Sequence, residues 1–130
     1  MSARRAQHEF QRLSVAAREE IARTLRSLPR PLRARAQDVP VVLEARPSKE
    51  QEADDIAPDT LGLFVGEALP DAYAGGQQLP AQIILYVENI WDYAGHDPAI
   101  YREEVRRTLL HELGHFLGLD EDDLQARDLD

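Results

Sequence analysis

Histidine recurs after four positions in T-L-L-H-E-L-G-H-F-L-G-L-D-E-D-D-L, residues 108–124, with a glutamate directly behind the first histidine. Neutral imidazoles are ligands for a divalent ion, and a carboxylate beside them can take a proton from a water held there. On a helix, residues four apart differ by about 40° of rotation, so His111 and His115 share one face and can turn to one ion. Glu112 projects beside the pair, placed to serve as general base rather than to chelate. This is the content of an H-E-x-x-H spacing: zinc held by His111 and His115, and a zinc-bound water activated by Glu112. The competing account is a histidine-bearing helix face that binds nothing. Against it, Val105, Leu109, Leu113 and Phe116 form an apolar arc on the side away from the histidines, where a packed structural histidine would instead be expected to lie.

A catalytic zinc takes three protein ligands and keeps one position open. Few residues follow the motif, so the third ligand is expected from the acidic turn after Gly118 or from upstream. Counting H-E-x-x-H-x-x-G-x-x from His111 arrives at Glu121; Asp120, Asp122 and Asp123 stand beside it. These carboxylates equally suit the cap and first turn of a following helix. His96 is the upstream alternative, as a ligand or as a donor to the substrate oxyanion. Tyr93 and Arg102 are the other candidate donors to the oxyanion. The chain has no cysteine, so thiolate sites and disulfides are excluded and any metal rests on imidazole and carboxylate.

The elements that position these groups read as α+β. Phe10, Leu13, Ala17, Ile21, Leu25 and Leu28 form a helical stripe, ended by Pro29 and Pro31. Residues 39–45, V-P-V-V-L-E-A, read as a strand. The charged, proline-flanked residues 47–60 read as a mobile loop. Leu61, Leu63 and Val65 alternate with Gly62, Phe64 and Gly66, a half-buried strand and the candidate edge for pairing with a substrate strand. Residues 83–87, I-I-L-Y-V, are continuous and apolar, as in an interior strand. Residues 88–97 read as irregular. Asp97-Pro98 opens a long helix that runs to about Leu117 and stops at Gly118; Asp120 is placed to cap a last helix over residues 121–129. Helices on a short mixed sheet of three or more strands, forming one domain over residues 1–130 with residues 1–30 as its amino-terminal helix, is the expected architecture.

The net charge of −9 is unevenly spread. Residues 1–46 carry ten arginines against five acids, and residues 47–130 five bases against nineteen acids. An acidic chain repels nucleic acid, so Arg30, Arg33 and Arg35 read as surface charge. The first residues lack an apolar signal core and no run is long enough to span a membrane; a cytoplasmic location is expected, with a peptide or protein substrate as partner.

H-E-L-G-H-F-L-G-L-D-E-D-D-L, with L-G-L-F-V-G and I-I-L-Y-V-E-N-I upstream, resembles the minimal zincin-like proteins, a family of small bacterial metallopeptidases. The resemblance runs from about Leu61 to Leu124. It implies a compact zincin core, a zinc cofactor and peptide-bond hydrolysis. The family carries aspartate at the third-ligand place, where this chain has Glu121, longer by one methylene. Metzincins share the spacing but need a methionine turn, and the single methionine here is Met1. Gluzincins take their third ligand from a distant downstream helix, for which the expected layout has no place. A non-catalytic metal-binding or protein-interaction domain on the same scaffold is the alternative reading.

Overall fold

The computed structural model describes residues 2–66 and 81–118. Helix α1, Ala3–Ser27, begins where the Ser2 hydroxyl accepts a hydrogen bond from the Arg5 backbone N–H. It buries Leu13, Ala17 and Ile21, the heart of its apolar stripe. Leu28 precedes a proline and is extended (φ −70°, ψ 148°), which ends the helix. Pro31 does not prolong an irregular stretch. It opens a second short helix, α2, Arg30–Ala36, where a missing N–H costs nothing. Its arginines face solvent in part, while Leu32 and Ala36 are buried.

Three strands, β1 (Val41–Glu44), β2 (Gly62–Val65) and β3 (Gln82–Tyr86), form the sheet among the described residues, in the order β1-β3-β2. β3 pairs in parallel with β1, Val41 opposite Ile83, and antiparallel with β2, Gly62 opposite Leu85. The central strand is β3, as its continuous apolar run requires: Ile83, Leu85 and Tyr86 are fully buried. The face of β2 that carries Gly62 and Phe64 lies towards the last described helix, α5, with Phe64 and Phe116 rings 6.0 Å apart. Helices on a short mixed sheet are the α+β architecture expected.

Two segments differ from their expected form. Residues 47–60 contain helix α3, Lys49–Ala53, started by a capping box between Ser48 and Gln51. The Gln51 side-chain oxygen also accepts a hydrogen bond from the Tyr86 phenol at 2.8 Å, so this helix is tied to the central strand. Burial, with the Glu44 carboxylate nearby, pushes the Tyr86 phenol up to about 12, so it remains a donor. Residues 87–93 continue directly from β3 as helix α4, Val87–Tyr93, where the end of the strand (Val87) and then irregular chain from residue 88 were expected. Val87, Ile90 and Trp91 pack into the core, and that tertiary burial outweighs the weak local propensity.

Buried Asn89 of α4 links the elements that flank the sheet. Its amide nitrogen donates to the carbonyls of Pro58 (2.8 Å) and Thr60 (2.9 Å), and its oxygen accepts from Arg46 (2.7 Å). The approach to β2 is thereby fixed to α4. Arg46 also reaches Asp92 at 2.8 Å, and the His96 ring nitrogen lies 2.8 Å from the other Asp92 oxygen.

These contacts give a pH dependence. The His96 imidazole and then the Arg46 guanidinium, both hydrogen-bonded to Asp92, hold its carboxyl below the ordinary range. A depressed folded-state value means that the contribution to stability is complete above about pH 4, the unfolded value, and is lost as pH falls through the folded value. Asp92 is about half exposed, so the effect is modest. Denaturant titrations at successive pH values below 4 should show a shallower acid loss in Asp92→Asn than in the wild type.

Helix α5, Pro98–Phe116, carries the chemistry. The Asp97 carboxylate accepts from the Ile100 N–H at 2.9 Å, Pro98 occupies the first turn, and Gly118 has a positive φ of 75° just past the end. Tyr101, Val105, Leu109, Leu113 and Phe116 are buried. The Tyr101 phenol donates to the Leu13 carbonyl at 2.9 Å, joining α5 to α1 across the core.

Candidate metal centre

With Val105, Leu109 and Leu113 locked inside, the helix turns His111 and His115 outward: His111 is half-buried and the His115 side chain is 50% exposed. Their ring centroids are 4.7 Å apart. Glu112 is buried, with 6% of its surface accessible, and its Oε1 lies 3.5 Å from His115 Nδ1. One ligand atom from each of His111, Glu112 and His115 lies within 4.8 Å of the others. Two ligand atoms bound to one zinc at about 2.0–2.1 Å are closer than this, and rotation of an outward imidazole covers the difference. Two imidazole nitrogens with a carboxylate beside them suit zinc and the water it would carry, and the chain has no cysteine to offer a thiolate.

What keeps Glu112 in place is the opposing strand. A methyl group built at Gly62 would meet Thr108 Cγ2 at 2.6 Å and Glu112 Cγ at 3.3 Å. The backbone of β2 therefore touches the helical turn that carries the glutamate, and only glycine permits it. Between them lies a cleft of about 390 Å³, with Thr108, His111 and Glu112 on one side and Leu61 and Gly62 on the other. Tyr93, from the end of α4, also lines it. Sequence reading placed Gly62 in the strand but missed its role at the site; a lone glycine within a strand was the available signal.

The chain matches the family model described as zincin-like metallopeptidase over residues 36–130. It belongs to that family. No curated protein matches the chain. The zincin's metal site is the His111-Glu112-His115 cluster, capable of coordinating an ion such as zinc, and the chain is accordingly a zinc-dependent metallopeptidase. The matched stretch extends beyond the described residues to include Glu121 and Asp120; these candidate third ligands, and the helix expected over residues 121–129, lie outside the described residues. In the zincin His96 is engaged by Asp92 and stacks on Trp91, ring centroids 5.1 Å apart, and it is not part of the His111-Glu112-His115 cluster. Arg102 of the zincin points to α1, where it meets Glu19 (3.5 Å) and Glu20 (3.7 Å). Among the described residues no helix is long and apolar enough to cross a membrane.

The glycine contact has a measurable consequence. Gly62→Ala should lower stability by about 1–3 kcal/mol through overpacking against Thr108, read as a shifted urea midpoint, and should slow any cleavage by displacing Glu112. Adding Thr108→Ser removes the clashing methyl and should return much of the loss. A Gly62→Ala protein as stable as the wild type would contradict the close packing of β2 on α5.

Proposed function

We propose that this chain hydrolyses peptide bonds in extended, accessible segments of other proteins, with His111 and His115 holding zinc, Glu121 as the third ligand and Glu112 as general base. The observation that carries the reading is the burial of Glu112 beside two outward imidazoles, with Glu112 and His111 on the wall of an open cleft. When bound, zinc supplies positive charge that acidifies a water and polarises the substrate carbonyl.

The residues of the chain do the rest. His111 and His115 would hold the ion. The Glu112 carboxylate takes the proton of the water that attacks the carbonyl carbon, then passes it to the departing amine nitrogen. Leu61 and Gly62 offer apolar wall and backbone to a substrate in extended form, which pairs along β2; among the described residues β2 has β3 as its one strand partner. The cytoplasmic location expected from the sequence belongs to the same proposal, as does Asp120 as the neighbour able to replace Glu121.

The test is to load purified protein with zinc and offer it an unstructured protein. About one zinc per chain and cleavage that stops on chelation and returns on zinc addition are expected. Zinc uptake with no cleavage across a broad peptide library would instead make the chain a metal-binding domain.

A further inference from the structure

We propose that Tyr93 is a catalytic residue of this site: its phenol O–H donates a hydrogen bond to the carbonyl oxygen of the scissile bond as that oxygen gains negative charge. The inference rests on the metallopeptidase reading and adds a second stabilising group to it.

Of the side chains near the motif with donor chemistry, His96, Arg102 and Tyr93 are the candidates offered by the sequence, and the fold separates them. His96 is taken up by Asp92 and by stacking on Trp91. Arg102 is on the α1 side of α5, about 180° round the helix from His111, and pairs with acids of α1. Tyr93 alone of the three lines the cleft that His111 and Glu112 line. It is 67% exposed, and among the described residues its phenol has no hydrogen-bond partner, so nothing in the described structure competes for the O–H. Arg107 also lines the cleft, but its guanidinium lies 3.5 Å from Glu104 on the same helix.

The mounting of Tyr93 suits the role. It is the last residue of a helix that grows straight out of the central strand and buries Val87, Asn89, Ile90 and Trp91. The next turn is closed by the Ala94 N–H donating to the Ile90 carbonyl at 2.9 Å. Asp92, the residue before it, is held by Arg46. The backbone under the ring is thus fixed while the ring faces open space. A phenol is a neutral donor, so it enters the cleft without the desolvation penalty of a guanidinium and becomes most valuable when the carbonyl oxygen is most negative.

The experiment compares zinc-loaded wild type, Tyr93→Phe and His96→Asn on a fluorogenic peptide, together with zinc content and inhibition by a phosphinic peptide whose tetrahedral oxygens imitate the charged carbonyl. Tyr93→Phe keeps the ring and removes only the hydroxyl. The expected result is a fall of about a hundredfold in kcat with KM and zinc content unchanged, and a parallel loss of phosphinate affinity. His96→Asn, in which asparagine tolerates the positive φ of 62°, should keep its kcat within a few-fold. A Tyr93→Phe kcat close to the wild type overturns the proposal, as does a rise in KM alone or a loss of zinc, each of which marks a packing or binding role. Absence of cleavage by the wild type overturns the peptidase reading and this proposal together; a cleaving wild type with an equally active Tyr93→Phe removes Tyr93 and leaves the peptidase intact.

Discussion

Glu112→Gln should bind zinc as the wild type does and cleave at least about a thousandfold more slowly, within the range of positioned acid–base catalysis. The substitution keeps the shape of a side chain that is buried against Gly62, so folding is preserved and the loss is chemical. An amide cannot take the proton from the attacking water, nor deliver one to the leaving nitrogen. It also leaves a polar group where His115 Nδ1 stands 3.5 Å from the carboxylate, so the ligand histidine keeps a neighbour able to hydrogen-bond after a small rotation. The check is a pair of measurements on one preparation: metal content by elemental analysis, and initial rate on an unstructured protein. Activity within tenfold of the wild type would remove Glu112 as the base.

His111→Ala is expected to have the opposite signature. It should lose zinc first, and cleavage as a result. His111 is half-buried and lines the cleft, whereas His115 is at the exposed margin, so His111 is the better-anchored ligand. Alanine leaves one imidazole on this helix, and losing one of the three proposed protein ligands should weaken binding by several orders of magnitude, since each Zn–N bond is a large share of the site. The apolar arc is untouched, so the apo protein should unfold with the same denaturant midpoint as the zinc-free wild type. Titration with a competing chromophoric chelator measures the affinity directly. Near wild-type zinc affinity in His111→Ala would mean that the ion sits elsewhere.

Much of this arrangement was legible because the signals were local. Asp97-Pro98 and Gly118 marked both ends of α5, and the period of Val105, Leu109 and Leu113 assigned an inside and an outside to the same helix. The outward pair of histidines followed from rotation alone. β3 was legible from an unbroken apolar run. What escaped was structure set by contacts distant in the chain. α4 begins in the same apolar run as β3, so its first residue, Val87, read as strand. Its helix is justified by Ile90 and Trp91 packing into the core rather than by anything in E-N-I-W-D-Y. Pro31 read as a stop because a proline that follows another helix also starts the next. The capping box at Ser48 and Gln51 was present in the letters but masked by the charged residues around it. Gly62 was visible as a glycine, yet its reason, the approach of Thr108 from forty-six positions away, requires the fold.

The three hydrogen bonds of Asn89 decide which partner must yield during recognition. Because two of them moor the lead-in to β2 on a helix packed into the interior, one jaw of the proposed substrate groove is stiff before anything arrives. On the proposed reading selectivity would then fall to the incoming polypeptide: a stretch already frayed or unravelled would lie down in the groove, while a well-folded surface would first have to melt, and its own resistance to melting would set whether it is cut.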